Sequence, residues 1–350
     1  MRTPHQPLRH RLSRQRRALI TGGAGFVGSH LAEALLARGY RVTALDNLST
    51  GRLGNIEHLL DGRRFELLVG DLADTDLLGE ATNRSDVVFH LAAAVGVKLI
   101  LADPRASIET NVAGTRNVLE AALGSGAKVL VASTSEVYGK ADHVPQREDD
   151  DVVLGPTVVD RWSYAAAKML DEFLALSYHR ETGLPAVCFR LFNTVGPRQT
   201  GDYGMVIPRF VEAAMRGEPL PVYGDGRQLR CFLHVQDAVE AIVQLAECTA
   251  AVGEVVNVGS VEQVSIIELA QRVLGKLDGR SHGALVSLVP YEQAFPNGRF
   301  EDISRRLPDI SKIRALTGWQ PSHTLDDILA DVIGEHGADK VATLALAEAT

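Results

Sequence analysis

Ala18-Leu-Ile-Thr-Gly22-Gly-Ala-Gly25-Phe-Val-Gly28-Ser-His30 is the stretch whose reading decides the fold. A short apolar run meets glycines at three-residue spacing, and an amphipathic pattern (Leu31, Leu35, Leu36) follows. That order belongs to a buried parallel strand turning sharply into a helix. Gly22 permits the turn, Gly25 lets the backbone approach a pyrophosphate, and Gly28 lets the helix pack on the strand. The helix N-terminus adds open N–H groups and a partial positive charge suited to phosphates. The next apolar run, Arg41-Val-Thr-Ala-Leu45, ends in Asp46, where this fingerprint places an acid for the ribose hydroxyls. Both parts in register predict dinucleotide binding, and the acid predicts NAD over NADP.

Strand and helix signals alternate beyond this point. Phe65-Glu-Leu-Leu-Val69 leads to Gly70-Asp71-Leu72, and Asp86-Val-Val-Phe-His-Leu91 runs into Ala92-Ala93-Ala94. A helix is predicted over 107–123, then a strand Lys128-Val-Leu-Val-Ala-Ser133. Short β-branched runs separated by helical stretches predict an α/β fold, a Rossmann-type doubly wound parallel sheet. Asp46, Asp71, Ala92 and Ser133 stand at or just past strand carboxyl ends, which face one crevice in such a sheet. A helix over 160–182 and a strand Ala186-Val-Cys-Phe-Arg-Leu191 complete a dinucleotide domain assigned to 18–195. Prolines and glycines then become more frequent, and 196–337 reads as a smaller, partly interleaved α/β substrate lobe. Within it we expect a helix over 206–215, a segment 227–234, a helix after Asp237, a strand over 254–258 returning to the sheet, and helices over 309–316 and 324–334. Residues 338–350 read as a frayed tail.

The 350 residues carry a net charge of −8, with 45% hydrophobic and 23% charged residues. That composition is an ordinary enzyme's and speaks against a nucleic-acid or membrane-surface role. No apolar run reaches the roughly eighteen residues a membrane helix needs. Cys188, Cys231 and Cys248 are odd in number and lack metal spacing, which points to a reducing cytoplasm and no metal site. Residues 1–17 hold Arg2, Arg9, Arg11, Arg14, Arg16 and Arg17 without an acid, and read as a disordered basic leader.

Tyr164-Ala-Ala-Ala-Lys168 puts a phenol and an ammonium four residues apart, on one helix face. A nearby cation stabilises phenolate, making a base able to deprotonate a sugar hydroxyl near neutral pH. Ser133-Thr134-Ser135-Glu136 closes the strand that runs beside this helix.

With these motifs the chain resembles the extended short-chain dehydrogenase/reductases of the nucleotide-sugar branch. The resemblance spans about Ala18 to Glu335. Its carriers include Asp46-Asn-Leu-Ser-Thr-Gly51, Ser133-Thr-Ser-Glu-Val-Tyr-Gly139, Arg190-x-x-Asn193-x-x-Gly196-Pro197-Arg198, Val222-Tyr-Gly-Asp-Gly226 and Arg230-x-Phe-x-His-Val-x-Asp237. The resemblance implies NAD on the sheet and a UDP-sugar on the smaller lobe. It implies cofactor contacts from Gly22, Gly25, Phe26, Val27, Gly28, Asp46, Asn47, Ser49, Thr50, Gly51, Asp71, Leu72, Leu91, Ala92, Ala93, Asn111, Ser133, Tyr164 and Lys168. Thr134, Ser135, Glu136, Tyr164 and Lys168 would be catalytic, with Lys168 binding the nicotinamide ribose and lowering the phenol pKa. Substrate contacts would come from Thr134, Ser135, Asn193, Arg198, Val206, Tyr223, Arg230 and Arg306, with Asn193 and Arg230 on the diphosphate. The family also implies a homodimer joined through the helices over 107–123 and 160–182.

Members oxidise the sugar at carbon 4 and then diverge. The 4,6-dehydratases carry Asp-Glu after the threonine, whereas Ser135 fills that place here. Arg306 matches the position beside carbon 6 and suits a carboxylate, as in UDP-glucuronate. The Ala-Ala-Ala between Tyr164 and Lys168 looks more like the epimerases than the decarboxylases. The sequence reading is therefore a UDP-glucuronate 4-epimerase, with UDP-glucuronate decarboxylase and UDP-glucose 4-epimerase as alternatives.

Overall fold

The structure, a computed structural model, describes residues 15–94, 96, 103–202, 204–277, 283–295, 301–303 and 305–348, with side chains described up to 337. The expected leader lies, through residue 14, outside the described residues, and its last residue, Arg17, already belongs to the first strand. Seven strands form one parallel sheet: β1 (Arg17–Thr21), β2 (Arg41–Asp46), β3 (Phe65–Val69), β4 (Val87–His90), β5 (Lys128–Thr134), β6 (Ala186–Leu191) and, from the second half of the chain, β11 (Val255–Val258). Their spatial order is β11-β6-β5-β4-β1-β2-β3. The chain thus starts at the sheet's centre and winds outward in both directions, the doubly wound arrangement read from the sequence.

Alternation along the strands feeds two separate cores. On β1, Ala18 and Ile20 face a core shared with α1 (Phe26–Ala37), α6 (Val235–Glu247) and α9 (Ser311–Thr317). Leu19 faces the opposite core, with α2 (Thr75–Asn83), α3 (Pro104–Ser125) and α4 (Arg161–Thr182). Apolar runs buried on both faces are what a parallel sheet between helical layers requires.

The smaller lobe has its own core, from α5 (Val206–Met215), α7 (Ile266–Leu277), β8 (Leu220–Tyr223) and α10 (Leu325–Glu348). Short strands stitch it together: β9 (Leu229–Cys231) with β12 (Gln263–Ser265), and β8 with β13 (Val286–Val289). β7 (Thr194–Val195) and β10 (Leu233–His234) pair beneath it, and α8 (Tyr291–Ala294) precedes its last turn. Two readings need correction. α10 runs to Glu348 rather than stopping near 334, so the tail expected to fray is helical; its alanines at 338, 342, 345 and 347 favour helix. α6 and α9 lie on the Rossmann sheet, so the interleaving is deeper than one returning strand.

Candidate active site

Two adjoining regions lie at the carboxyl edge of the sheet. The first is a cleft of about 700 Å³ over the glycine turn. Gly22 has φ +73°, and a Cβ there would lie 2.8 Å from Ala92 N. A Cβ on Gly28 would come within 2.1 Å of Gly22 O. Gly25 caps α1 without a side-chain hydrogen bond, leaving the first turn open to an anion. Asp46 is buried and accepts from Ala24 N at 2.9 Å and Leu48 N at 2.8 Å. Phe26, Val27, Asn47, Ser49, Thr50, Asp71, Leu72, Leu91, Ala92 and Ala93 complete the lining foreseen from the sequence. These residues fit a dinucleotide: glycines where phosphates need backbone, a carboxylate where a ribose needs an acceptor.

Three expected cofactor residues act from behind the lining. A Cβ on Gly51 would lie 2.7 Å from the Asp46 carboxylate, so this glycine lets the loop fold over the acid. Asn111 accepts from Ala94 N at 2.8 Å and steadies the chain beyond β4. Ser133 donates to Glu172, which Arg190 grips through Nε and Nη2 at 2.9 and 2.8 Å.

The second region lies beyond β5. Thr134 ends the strand and accepts from Glu136 N, tightening the chain into a turn over Ser135–Tyr138. This turn aims Ser135 and Glu136 at the face of α4 that carries Arg161, Tyr164, Lys168 and Asp171. From the lobe, the segment around Arg306 is laid against Leu229 of β9 and against Gln146, whose N–H donates to Leu307 O at 2.7 Å. Asp309 N donates in turn to Gln146 O at 2.8 Å, so the segment is pinned on both sides and Arg306 is held inward.

The result is a cluster of buried guanidiniums and half-buried carboxylates. Arg306 Nη2 lies 2.5 Å from Glu136 Oε1, and Arg161 Nη2 lies 3.1 Å from Glu136 Oε2. Arg306 Nη1 is 3.4 Å from Ser135 Oγ. Arg230 pairs with Asp302 at 2.7 Å, and Tyr291 donates to the other oxygen of that carboxylate. Three guanidiniums against two carboxylates leave one net positive charge, suited to an anionic ligand. Burial alone would raise the Glu136 carboxyl, but Arg306 and Arg161 outweigh it and hold it at about 2. Burial and the neighbouring Arg306 lower Arg230 to about 10, so it is charged at neutral pH.

Tyr164 is buried beside this cluster, and here the structure corrects the sequence reading. Burial, then Glu136 and Asp171, push the phenol above its ordinary value rather than below it. The Lys168 ammonium is turned to Asp171, 2.8 Å away, so its charge is matched before it reaches the phenol.

Other expected substrate residues are placed variously. Asn193 donates to Cys231 O at 2.8 Å, which ties its amide to β9. Tyr223 accepts from Arg209, and Val206 begins α5, both in the lobe. Arg198 is a correction: it lines the dinucleotide cleft and binds Ser29 Oγ at 3.1 Å and Glu33 at 2.5 Å, both on α1. Its backbone φ of +69° turns the side chain that way. Arg161, Asp171 and Asp302 were missed. Arg161 precedes Tyr164 by one helical turn, a signal that spacing alone offers.

A family model described as GDP-mannose 4,6 dehydratase matches residues 19–332. The chain belongs to this family of extended short-chain dehydrogenase/reductases. It is 44% identical to a UDP-N-acetyl-alpha-D-glucosaminuronate decarboxylase of Bacillus cytotoxicus over 320 residues, covering 91% of this chain and 97% of that protein. It is 36% identical to UDP-glucuronic acid decarboxylase 1 of Danio rerio over 319 residues, covering 91% and 72%. A crystal structure of UDP-glucuronic acid 4-epimerase from Bacillus cereus, in complex with UDP-glucuronic acid and NAD, superposes with a TM-score of 0.81 at 31% identity, covering 91% of this family member and 98% of that chain. Both regions of the site therefore fall inside the part of the chain that the family shares.

Proposed function

We propose that this family member is an NAD-dependent decarboxylase of a UDP-hexuronate, rather than the 4-epimerase favoured from the sequence. The observation that carries the reading is the pairing of the buried Arg306 with the half-buried Glu136 beside Tyr164. Relatives whose names specify uronate decarboxylation support it. The epimerase reading rested on the alanines between Tyr164 and Lys168. Ala165 and Ala167 are buried in the packing of α4, so packing limits side-chain size at both positions.

The cofactor is NAD, which when bound takes hydride from sugar carbon 4 and later returns it. Arg230 and the lobe hold the diphosphate, displacing Asp302 from the guanidinium. Tyr164 removes the 4-hydroxyl proton, and the Thr134 hydroxyl orients that oxygen. Oxidation makes the sugar a β-keto acid, with its carboxylate on carbon 5. Arg306 keeps one arm on Glu136 and offers its remaining donors to that carboxylate, fixing the ring.

The bond from carbon 5 to the carboxyl carbon then breaks and carbon dioxide leaves. The electron pair moves to the carbon 4 oxygen, where the protonated Tyr164 and Thr134 can donate. Carbon 5 takes a proton from water. Glu136, ionised above about pH 2, opposes a carboxylate beside it, which favours moving that charge to the carbon 4 oxygen as neutral carbon dioxide leaves. NAD-loaded protein incubated with UDP-glucuronate or UDP-N-acetylglucosaminuronate should release carbon dioxide and give a UDP-pentose by NMR. An epimer formed without carbon dioxide would refute decarboxylation and restore the epimerase reading.

A further inference from the structure

We infer that Asp171 is a positioning residue that engages the Lys168 ammonium and so sets how readily Tyr164 gives up its proton. The inference rests on the reading of Tyr164 as the base and adds to it a residue that neither spacing nor the strand-end motifs single out. Tyr164, Lys168 and Asp171 succeed one another at four and three residues along α4, so all three share one face. Lys168 Nζ and Asp171 Oδ2 are 2.8 Å apart, and their side chains are 2% and 0% exposed.

The charged and titratable groups around them come from every neighbouring element. Glu136 stands on the turn after β5, and Arg306 and Arg161 hold it. Glu172, the next residue on α4, is matched by Arg190 of β6 through two hydrogen bonds. Cys188 of β6 is a buried thiol whose pKa burial raises. His90 of β4 is lowered to about 3, by burial and then by Lys168, and is neutral. Its ring bonds Thr115 of α3 at 2.9 Å and Thr21 of β1 at 2.8 Å. Glu172, Cys188 and His90 thus leave no uncompensated charge, and Lys168 with Asp171 forms a second matched pair. Lys168 therefore offers the phenol no unmatched charge, while the Glu136 carboxylate acts on it from the turn after β5.

Replacing Asp171 with a neutral residue leaves the ammonium unmatched one turn from the phenol. An opposite charge within about 4–6 Å shifts a titrating group by about 1–3 units. The test titrates Tyr164 directly, by the ultraviolet difference absorption of tyrosinate in protein free of substrate. The signal is taken as the part that disappears on Tyr164→Phe in the same background. Asp171→Asn keeps the side-chain shape, and Asp171→Ala serves if the amide variant does not fold.

The Tyr164 titration should move down by about one unit or more in either variant, and the acid limb of the kcat profile should move with it. An unchanged titration in a variant with wild-type circular dichroism would overturn the inference and leave Asp171 a packing residue. Activity retained in Tyr164→Phe would instead refute Tyr164 as the base. The spectroscopic titration would still decide the role of Asp171.

Discussion

Arg306→Ala is the substitution that most directly tests whether the site reads a carboxylate. Nη2 of Arg306 is engaged by Glu136 at 2.5 Å. Nη1 has only a long contact with Ser135, at 3.4 Å, and Nε has no hydrogen-bond partner among the described residues. One arm of the guanidinium is therefore anchored, and two nitrogens can serve a ligand. A hydrogen bond to a charged group contributes about 1.5–3 kcal/mol. At about 1.4 kcal/mol per factor of ten, its loss costs roughly 10- to 150-fold in affinity. A hexose with a hydroxymethyl group at the same carbon loses a neutral hydrogen bond at most, about 0.5–1.5 kcal/mol or roughly 2- to 12-fold.

The assay is calorimetric titration of NAD-loaded wild type and variant with UDP-glucuronate and with UDP-glucose. The ratio of the two affinities matters more than either alone. Removing Arg306 also leaves Glu136 with only Arg161 among the two guanidiniums that bind it, and any resulting distortion falls on both sugars. Wild type should favour the uronate, and the variant should lose most of that preference. An unchanged ratio would show that Arg306 serves Glu136 alone, and the hexuronate assignment would fall.

Other outcomes follow from the same geometry. Asp46→Asn should weaken NAD by about tenfold or more, since a carboxylate accepts ribose hydrogen bonds more strongly than an amide, and should narrow the preference over NADP; calorimetry with both cofactors measures this. Glu136 is depressed from 4.5 to about 2, so its ionisation stabilises the fold above about pH 4.5 and ceases to do so as pH falls through about 2. Glu136→Gln should thus have a lower Tm at neutral pH and a flatter acid arm in a Tm-against-pH series. Leu170 and Phe173 on α4 are 48% and 58% exposed, and Ile108 on α3 is 39% exposed, an apolar face suited to an isologous contact. Light scattering should give a dimer for wild type and a monomer for Phe173→Asp.

The dinucleotide half of the site was legible because its determinants are local. Gly22, Gly25, Gly28 and Asp46 lie on one strand, turn, helix and strand in succession, and each acts through backbone shape or position at a strand end. The shared helix of Tyr164 and Lys168 was legible for the same reason, through helical spacing. Charge partners were not. Arg161 meets Glu136 across 25 residues, and Arg230 meets Asp302 across 72. No periodicity links such positions, so the cluster that defines the second region exists only in three dimensions. Arg198 shows the converse error: a motif fixed its place in the chain, while its positive φ and the acids of α1 fixed where its side chain went. The phenol failed for a subtler reason. Spacing brings an ammonium near it, but burial pushes the phenol up, Glu136 and Asp171 add to that, and Asp171 already holds the ammonium.

The same dependence on partners separates the two fates open to a 4-keto uronate. To epimerise, the ring must leave its carboxylate anchor, swing about the diphosphate and present its other face. If the anchor contributes about 1.5–3 kcal/mol, the released ring is populated about 10- to 150-fold less than the anchored one. Loss of carbon dioxide requires no such release. It proceeds from the anchored ring, provided the carbon 4 oxygen faces donors that take up the charge the carboxylate gives up. On the proposed reading Tyr164 and Thr134 supply those donors, while Glu136 immobilises Arg306 and opposes the substrate carboxylate. On the proposed reading, weakening the grip of Glu136 on Arg306 should therefore slow decarboxylation and lengthen the life of the ketone, which is the condition under which an epimer could form. Glu136→Gln incubated with UDP-glucuronate would reveal this as UDP-galacturonate appearing beside the pentose by NMR. A pentose-only product formed at the wild-type rate would mean that the anchor does not control the partition.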